Sequence, residues 1–396
     1  MRLIAIYSVL ITVVFLISCK KEVTISTKQS VSFIKFFGTP FSNYGNAVCK
    51  LSDGGYVITG STTNLNNLIA ADVDVILIRT DQYGNEKWAP RTIGGKYNDA
   101  GNSLCLAPDG GFVIAGTFGD STSQGYTTDV YLIRTNADGD TLWTRRFGGI
   151  LNEGASCVKA TPDGGFVLAG YREIAGMGKD VWIIKTDQYG IQEWEKSTST
   201  DLDEYARQIF VIDGGYILCG TSISNSYNLG TESGFVMKTG PTGNMSDIEY
   251  VWGLDPITDG TLSYISEGNY LFAGTKTNTI NVSKIVIAKI TTETDIKVGP
   301  VSELSLDGSY AVKDIKVVDG GCVYTGSKIE TSDIMILRTD MEGNVVFSKS
   351  YGSSGAQEGL SILQANDGGY VVAGYNRFET NNSQITLMKV KSDGTQ

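Results

Sequence analysis

Five carboxylates recur at one phase of a repeated segment, and they are the side chains best spaced to do chemistry. Asp99, Glu153, Glu204, Asp259 and Glu358 each stand eight to ten residues before an acidic residue that opens a tight turn. Tyr44 and Ser309 or Tyr310 take that phase in two further copies. Brought together as a collar, such carboxylates would hold a cation, an amine or a polyhydroxylated ligand. A pair held about 5–10 Å apart would serve acid–base chemistry on a glycoside. The same repetition suits a structural role, in which each carboxylate accepts backbone N–H bonds and pins neighbouring segments. No single acid pair can be chosen from the set. Tyr126, Tyr171, Tyr227 and Tyr375, with Phe378, punctuate variable segments rich in Asn, Thr, Ser and Gly, which read as loops at 62–71, 118–128, 172–179, 223–232, 276–283 and 376–383. Amide, hydroxyl and aromatic groups suit carbohydrate, although solvated loops share that composition.

Other chemistries lack their residues. The chain of 396 residues has no histidine, no Cys-x-x-Cys, no Gly-x-Ser-x-Gly and no phosphate-binding loop. No metal site and no cofactor is expected. Its net charge is −11, which argues against nucleic acid, where a basic face is needed. Cys49, Cys105, Cys157, Cys219 and Cys322 each lie in an apolar run, as small core thiols do. A second repeated turn, Asp81-Gln82-Tyr83-Gly84-Asn85 before Trp88, recurs as Asn136–Asp140 before Trp143, Asp187–Gly190 before Trp194 and Asp340–Asn344 before Phe347. Alternating oxygens at Asn136, Asp138 and Asp140 resemble a calcium loop, but the bidentate glutamate at its twelfth position is missing. A hairpin turn followed by an aromatic packed between repeats accounts for the pattern.

The elements that must position these residues are read from the repeat itself. Asp-Gly-Gly stands at 53–55, 109–111, 163–165, 213–215, 319–321 and 367–369, with Glu267-Gly268-Asn269 as a degenerate seventh copy. Seven residues after each acid comes a glycine: Gly60, Gly116, Gly170, Gly220, Gly274, Gly326 and Gly374. Asp-Gly between apolar runs is a strong hairpin signal, and each unit divides into four short strands. The second unit offers Ser103–Ala107, Phe112–Ala115, Val130–Thr135 and Thr141–Phe147. Four-stranded units of about 50 residues predict a seven-bladed, all-β propeller of antiparallel blades. The last unit ends at Gln396 without its fourth strand, and 31–37 carries the phase to supply it. The N-terminal strand is therefore expected to complete the last blade and close the ring.

Ahead of this body, Leu3 to Ile17 is apolar apart from Ser8 and Thr12, and ends in Leu16-Ile17-Ser18-Cys19 before Lys20 and Lys21. The run is short for a membrane span and reads as a signal peptide. The Leu-Ile-Ser-Cys tetrad resembles a bacterial lipobox, which implies cleavage before Cys19 and lipidation of its thiol. The expected organisation is a signal peptide at 1–18, lipidated Cys19 with a polar tether at 19–30, and the propeller at 31–396. The repeat units resemble those of a propeller family found in bacterial lipoproteins and cell-surface proteins, with a more distant likeness to the tryptophan-docking repeats of quinoprotein dehydrogenases. The resemblance implies fold and an envelope location, with a lipid anchor in what is expected to be the outer membrane. Three functions fit. The first is a monomeric, non-enzymatic module that binds glycan or an envelope protein on its loop face. The others are a carbohydrate-active or quinone-dependent enzyme and a structural subunit of an envelope complex.

Overall fold

The computed structural model describes residues 31–64, 72–122, 125–223, 232–251, 255–293, 295–352, 354–378 and 382–396. The signal peptide, Cys19, the tether and Tyr227 lie outside them. The seven units form seven antiparallel sheets spanning 43–93, 100–147, 153–197, 203–251, 257–303, 310–351 and 356–390, the last completed by Phe33–Phe37. Strands follow sequence order from the channel outward, so each blade is a meander with its first strand innermost. Phe33–Phe37 runs antiparallel to Ser383–Val390, with Phe33 opposite Lys389 and Phe37 opposite Ile385. The ring is closed as the phase of 31–37 required.

Blade five has an extra strand because its outer strand is broken. Lys297–Val298 and Ser302–Glu303 pair separately with Ser283–Thr291 around Pro300, which cannot donate to a ladder. Pro90 similarly trims the outer strand of blade one to Arg91–Ile93. Blades two and three depart from expectation in the other direction. The segments read as loops at 118–128 and 172–179 are mostly strand, in the hairpins Phe112–Thr122 with Gly125–Thr135 and Phe166–Ile174 with Gly178–Thr186. Their polar composition reflects solvent exposure of the hairpin tips and not loss of pairing.

The repeat signature has a steric cause. Gly54 sits at φ +84°, a conformation costly for other residues, and its N–H donates to Leu51 O at 3.0 Å. Asp53 Oδ1 accepts the Gly55 N–H at 2.9 Å. The glycine seven residues after the acid answers a different need: a Cβ on Gly60 would lie 1.8 Å from Tyr44 O. The turn acid also takes a cation from the third strand, as in Asp53 with Arg79 at 2.9 Å, Asp163 with Lys185 at 2.8 Å and Asp367 with Lys389 at 2.6 Å.

The core consists of layers between blades. Ala107, Val113 and Leu132 of blade two pack with Val158, Phe166, Trp182 and Ile184 of blade three. Ile58 and Ile78 of blade one meet Val371 and Leu387 of blade seven, which carries the same packing across the closure. Trp182 is thus a core residue. At the outer rim, the aromatic after the second turn rests, in most blades, on the corresponding glycine of the next blade. Trp88 lies against Gly139, Trp143 against Gly190 and Trp194 against Gly243. Those turns are closed by their own side chains, with Asp81 Oδ1 accepting the Tyr83 and Asn85 N–H groups at 2.8 and 2.9 Å.

Candidate functional site: the channel and its loop-face rim

The innermost strand of every blade carries a bulge at the same place, and the bulges build the channel wall. Pairing with the second strand slips between Gly45 and Ala47, Gly101 and Ser103, Ala155 and Cys157, Ala206 and Gln208, Thr258 and Thr261, Val312 and Asp314, and Gly359 and Ser361. A bulge leaves its extra residue out of the ladder and re-aims its side chain. The extra residues are Asn46, Asn102, Ser156, Arg207, the pair Asp259-Gly260, Lys313 and Leu360. All but the Asp259-Gly260 pair line a central cavity of about 420 Å³, together with Lys159 and Asp314. Asn46 Nδ2 donates to Gly101 O at 3.0 Å and Asn102 Nδ2 to Ala155 O at 2.9 Å, so amides tie consecutive blades across the channel. The repeat held a signal for this ring, six to eight residues before each turn acid. It was obscured because the residue type changes from blade to blade.

Blades four to seven carry a charged network in this wall. Asp259, held at φ +56°, accepts Arg207 Nη1 at 3.0 Å and Lys313 Nζ at 3.0 Å on both oxygens. Lys313 Nζ also lies 3.7 Å from Glu358, whose second oxygen accepts the Tyr375 hydroxyl at 3.4 Å. Nearby, Asp314 accepts Lys316 Nζ at 2.6 Å and the Ile362 N–H at 3.0 Å. Lys159 reaches the channel with its ammonium 5.9 Å from the Phe210 ring.

The five sequence-selected carboxylates therefore divide, and they do not form one collar. Asp259 and Glu358 belong to the channel network. Asp99, Glu153 and Glu204 are buried where one blade hands over to the next, at 1%, 3% and 0% exposure. Asp99 accepts N–H bonds from Gly95 at 2.6 Å and Gly119 at 2.8 Å, and Glu153 one from Gly149 at 3.1 Å. Glu204 accepts the Tyr250 hydroxyl at 3.2 Å. The register explains the division. Glu153 and Glu204 pair opposite Arg172 and Ser222, whereas Glu358 is one step further along, opposite Tyr375. One step in a strand reverses the face.

Each buried acid meets another acid from the preceding blade. A Cβ on Gly94 would touch both Asp74 and Asp99, and one on Gly148 both Asp129 and Glu153. Asp74 Oδ1 and Glu204 Oε2 are buried without a hydrogen-bond partner. Burial pushes the Asp99 carboxyl up to about 6, with a further push from Asp74 and Asp72 against the two N–H bonds that lower it. Burial also raises Asp74, Asp129, Glu153, Asp180 and Glu204. Between blades six and seven the same place holds Asp333 and Gln357.

Aromatic pairs mark the loop-face rim. Tyr375 and Tyr44 meet edge-to-face at 5.0 Å across the closure of the ring, with Arg377 6.0 Å from the Tyr375 ring. Tyr171 and Tyr205 lie 5.4 Å apart across blades three and four, with the Lys179 ammonium 4.6 and 5.1 Å from their centres. Tyr126 is half exposed beside Tyr97 at 6.1 Å and donates to Asn98 O at 3.2 Å. Tyr44 stands at the repeat phase the sequence marked, whereas Tyr97 and Tyr205, in or beside first strands, lie outside the variable segments in which aromatics stood out. The thiols are poorly set for nucleophilic attack. All five described cysteines are unpaired, and burial pushes Cys105 up to about 12 and Cys322 to about 11, and Cys219 upward as well.

No protein-family model matches the chain. The regulatory protein FlaEY of Caulobacter vibrioides is 30% identical over 138 residues, which is 31% of this chain and 14% of that protein. Among solved structures, Kuenenia stuttgartiensis hydrazine synthase superposes with a TM-score of 0.55 at 12% identity, covering 88% of this chain and 96% of that one. The WD40 domain of Neurospora crassa Pan2 gives 0.54 at 11% identity, covering 92% and 96%. The Penicillium chrysogenum alpha-L-arabinanase bound to arabinobiose gives 0.51 at 10% identity, covering 74% and 93%. At such identities these likenesses establish the propeller fold and leave function to the site.

Proposed function

We propose that this propeller is a non-enzymatic binding module, held at the cell envelope by a lipid on Cys19, which takes a glycan or protein ligand on its loop face. The observation that carries the reading is the set of tyrosine pairs at blade junctions, each with a cation beside it. Tyrosine faces and edges with hydroxyl tips suit polyhydroxylated or protein surfaces at low entropic cost. The channel wall supports the same reading, since its carboxylates are bound to Arg207, Lys313 and Lys316. The acids with raised pKa lie between blades. A glycan array probed with the 20–396 chain, run beside a pull-down from envelope extracts, tests the proposal. Tyr171→Ala and Tyr375→Ala are expected to reduce a positive signal at least ten-fold while leaving the fold intact. Turnover of a glycan by the wild-type chain, lost on substitution of Asp259 or Glu358, would overturn it in favour of an enzyme.

Anchoring has its own test. Cys19→Ala is expected to abolish labelling by radioactive palmitate and to move the protein from the membrane to the soluble fraction. Unchanged labelling would remove the lipid from the proposal.

A further inference from the structure

Among the described residues, one junction of the ring lacks the lock that closes the others. A side chain of one blade sits on a turn glycine of the next at six junctions: Phe33 on Gly84, Trp88 on Gly139, Trp143 on Gly190, Trp194 on Gly243, Phe347 on Gly394 and, from the third strand of blade five, Ile287 on Gly343. The aromatic is commonly followed two residues later by a cation whose stem covers the same glycine, as with Lys35, Arg145, Lys196 and Lys349. Arg145 and Lys349 also lie 5.1 and 5.9 Å from the rings they follow.

Between blades four and five both halves of this joint change. Trp88, Trp143, Trp194 and Phe347 stand four residues after the turn glycine, and the residue four after Gly243 is Asp247. Two further on, where a cation would follow, is Glu249. The receiving turn of blade five contains Thr292 and Glu293 and has no glycine. A cavity of about 890 Å³ opens here on the turn face, opposite the loop face. Its apolar wall is Phe210, Tyr264 and Tyr270, and its charged rim is Asp213, Glu267 and Glu293. Lys238 also lines it and donates to Thr292 O at 3.1 Å. Tyr264 is 51% exposed and meets Tyr270 edge-to-face at 5.8 Å.

We propose that this groove receives an extended segment of another protein carrying an aromatic residue followed two positions later by Lys or Arg. The aromatic stacks against the exposed Tyr264, with Phe210 and the edge of the buried Tyr270 behind it, and the cation faces the carboxylates of Asp213, Glu267 and Glu293. The chemistry of the occupant follows from the ring itself: six junctions are filled from within, most by an aromatic with a cation, and the seventh presents acids and exposed aromatic surface instead. Three carboxylates against one lysine make the rim attractive to a basic segment and repellent to an acidic one.

The probe is a labelled peptide of the chain's own blade-two lock, Thr-Leu-Trp-Thr-Arg-Arg-Phe, titrated with the 20–396 protein by fluorescence anisotropy. Saturable binding is expected, weakened at least ten-fold by Tyr264→Ala, by Glu267→Lys with Glu293→Lys, and by peptides bearing Ala for Trp or Glu for both Arg residues. The substituted protein side chains are exposed, and near-ultraviolet circular dichroism checks that the variants remain folded. Absence of saturable binding at millimolar peptide overturns the proposal, as does binding that both protein variants leave unchanged. A concentration-dependent dimer in sedimentation velocity, abolished by Tyr264→Ala, would assign the groove to a second copy and equally overturn it. Because the loop-face tyrosines are untouched, loss of this site and loss of the glycan or protein site are separable.

Discussion

At the scale of single residues, the paired acids between blades are the most informative feature. Burial disfavours the charged form of each carboxylate, and a neighbouring acid, as Asp74 is to Asp99, adds to the upward push. The linkage sign follows directly. With its folded pKa pushed up to about 6, Asp99 binds a proton more tightly folded than unfolded. Its contribution to stability is therefore greatest below the unfolded value and is lost as pH rises through 6. Asp74→Asn should relieve this, because the amide can donate to Asp99 while its oxygen keeps the 2.8 Å bond from Asn64 Nδ2. Asp333 beside Gln357 shows the chain already using an acid–amide pair at the equivalent place. We expect the variant to be more stable than wild type by about 1–2 kcal/mol at pH 8, with little difference at pH 4. Thermal unfolding of both proteins across that range checks it, and a variant less stable at pH 8 would refute the account.

Elements impose their own demands, which the rim locks make measurable. Gly190 has φ +74°, and a Cβ there would sit 2.6 Å from Trp143. Gly190→Ala combines backbone strain with displacement of the indole, and should cost on the order of 2 kcal/mol in urea unfolding. Trp143→Ala removes the packing of the ring on the turn and should cost on the order of 3 kcal/mol. The double variant should cost less than the sum of the two, because the residues share one contact. Strict additivity would show that the indole does not rest on Gly190 in solution. The same scale explains the misread segments at 118–128 and 172–179. Thr, Ser and Gly at a hairpin tip resemble coil, and pairing between Phe112–Thr122 and Gly125–Thr135 comes from backbone groups that composition does not report.

For the whole molecule, closure of the ring is the decisive contact. Phe33–Phe37 pairs with a strand some 350 residues away in sequence, and Phe37 joins the core between blades one and seven. Deleting residues 31–37 should leave the Ser383–Val390 edge bare, a template for association. We expect a broadened, lower thermal transition and concentration-dependent aggregates by light scattering. A monomer with the wild-type transition would show that the strand is dispensable.

The sequence by itself determined the repeat, the blade count and the closure, because each is carried by residue type, spacing and repeat phase. A turn that needs positive φ, a glycine where a Cβ would lie 1.8 Å from a carbonyl oxygen and the phase of 31–37 are all written in residue type and spacing. Tertiary structure decided which face each side chain meets. A slip of one residue sends Glu358 to the channel and Glu204 between blades, and a bulge in each first strand turns Arg207 and Lys313 inward. Spacing along the chain cannot report these outcomes, because they depend on pairing register and on which blade stands alongside. Of the five repeated acids, two are thus channel residues and three stand at blade junctions, Glu358 set apart by a single step of strand register and Asp259 by the bulge that holds it.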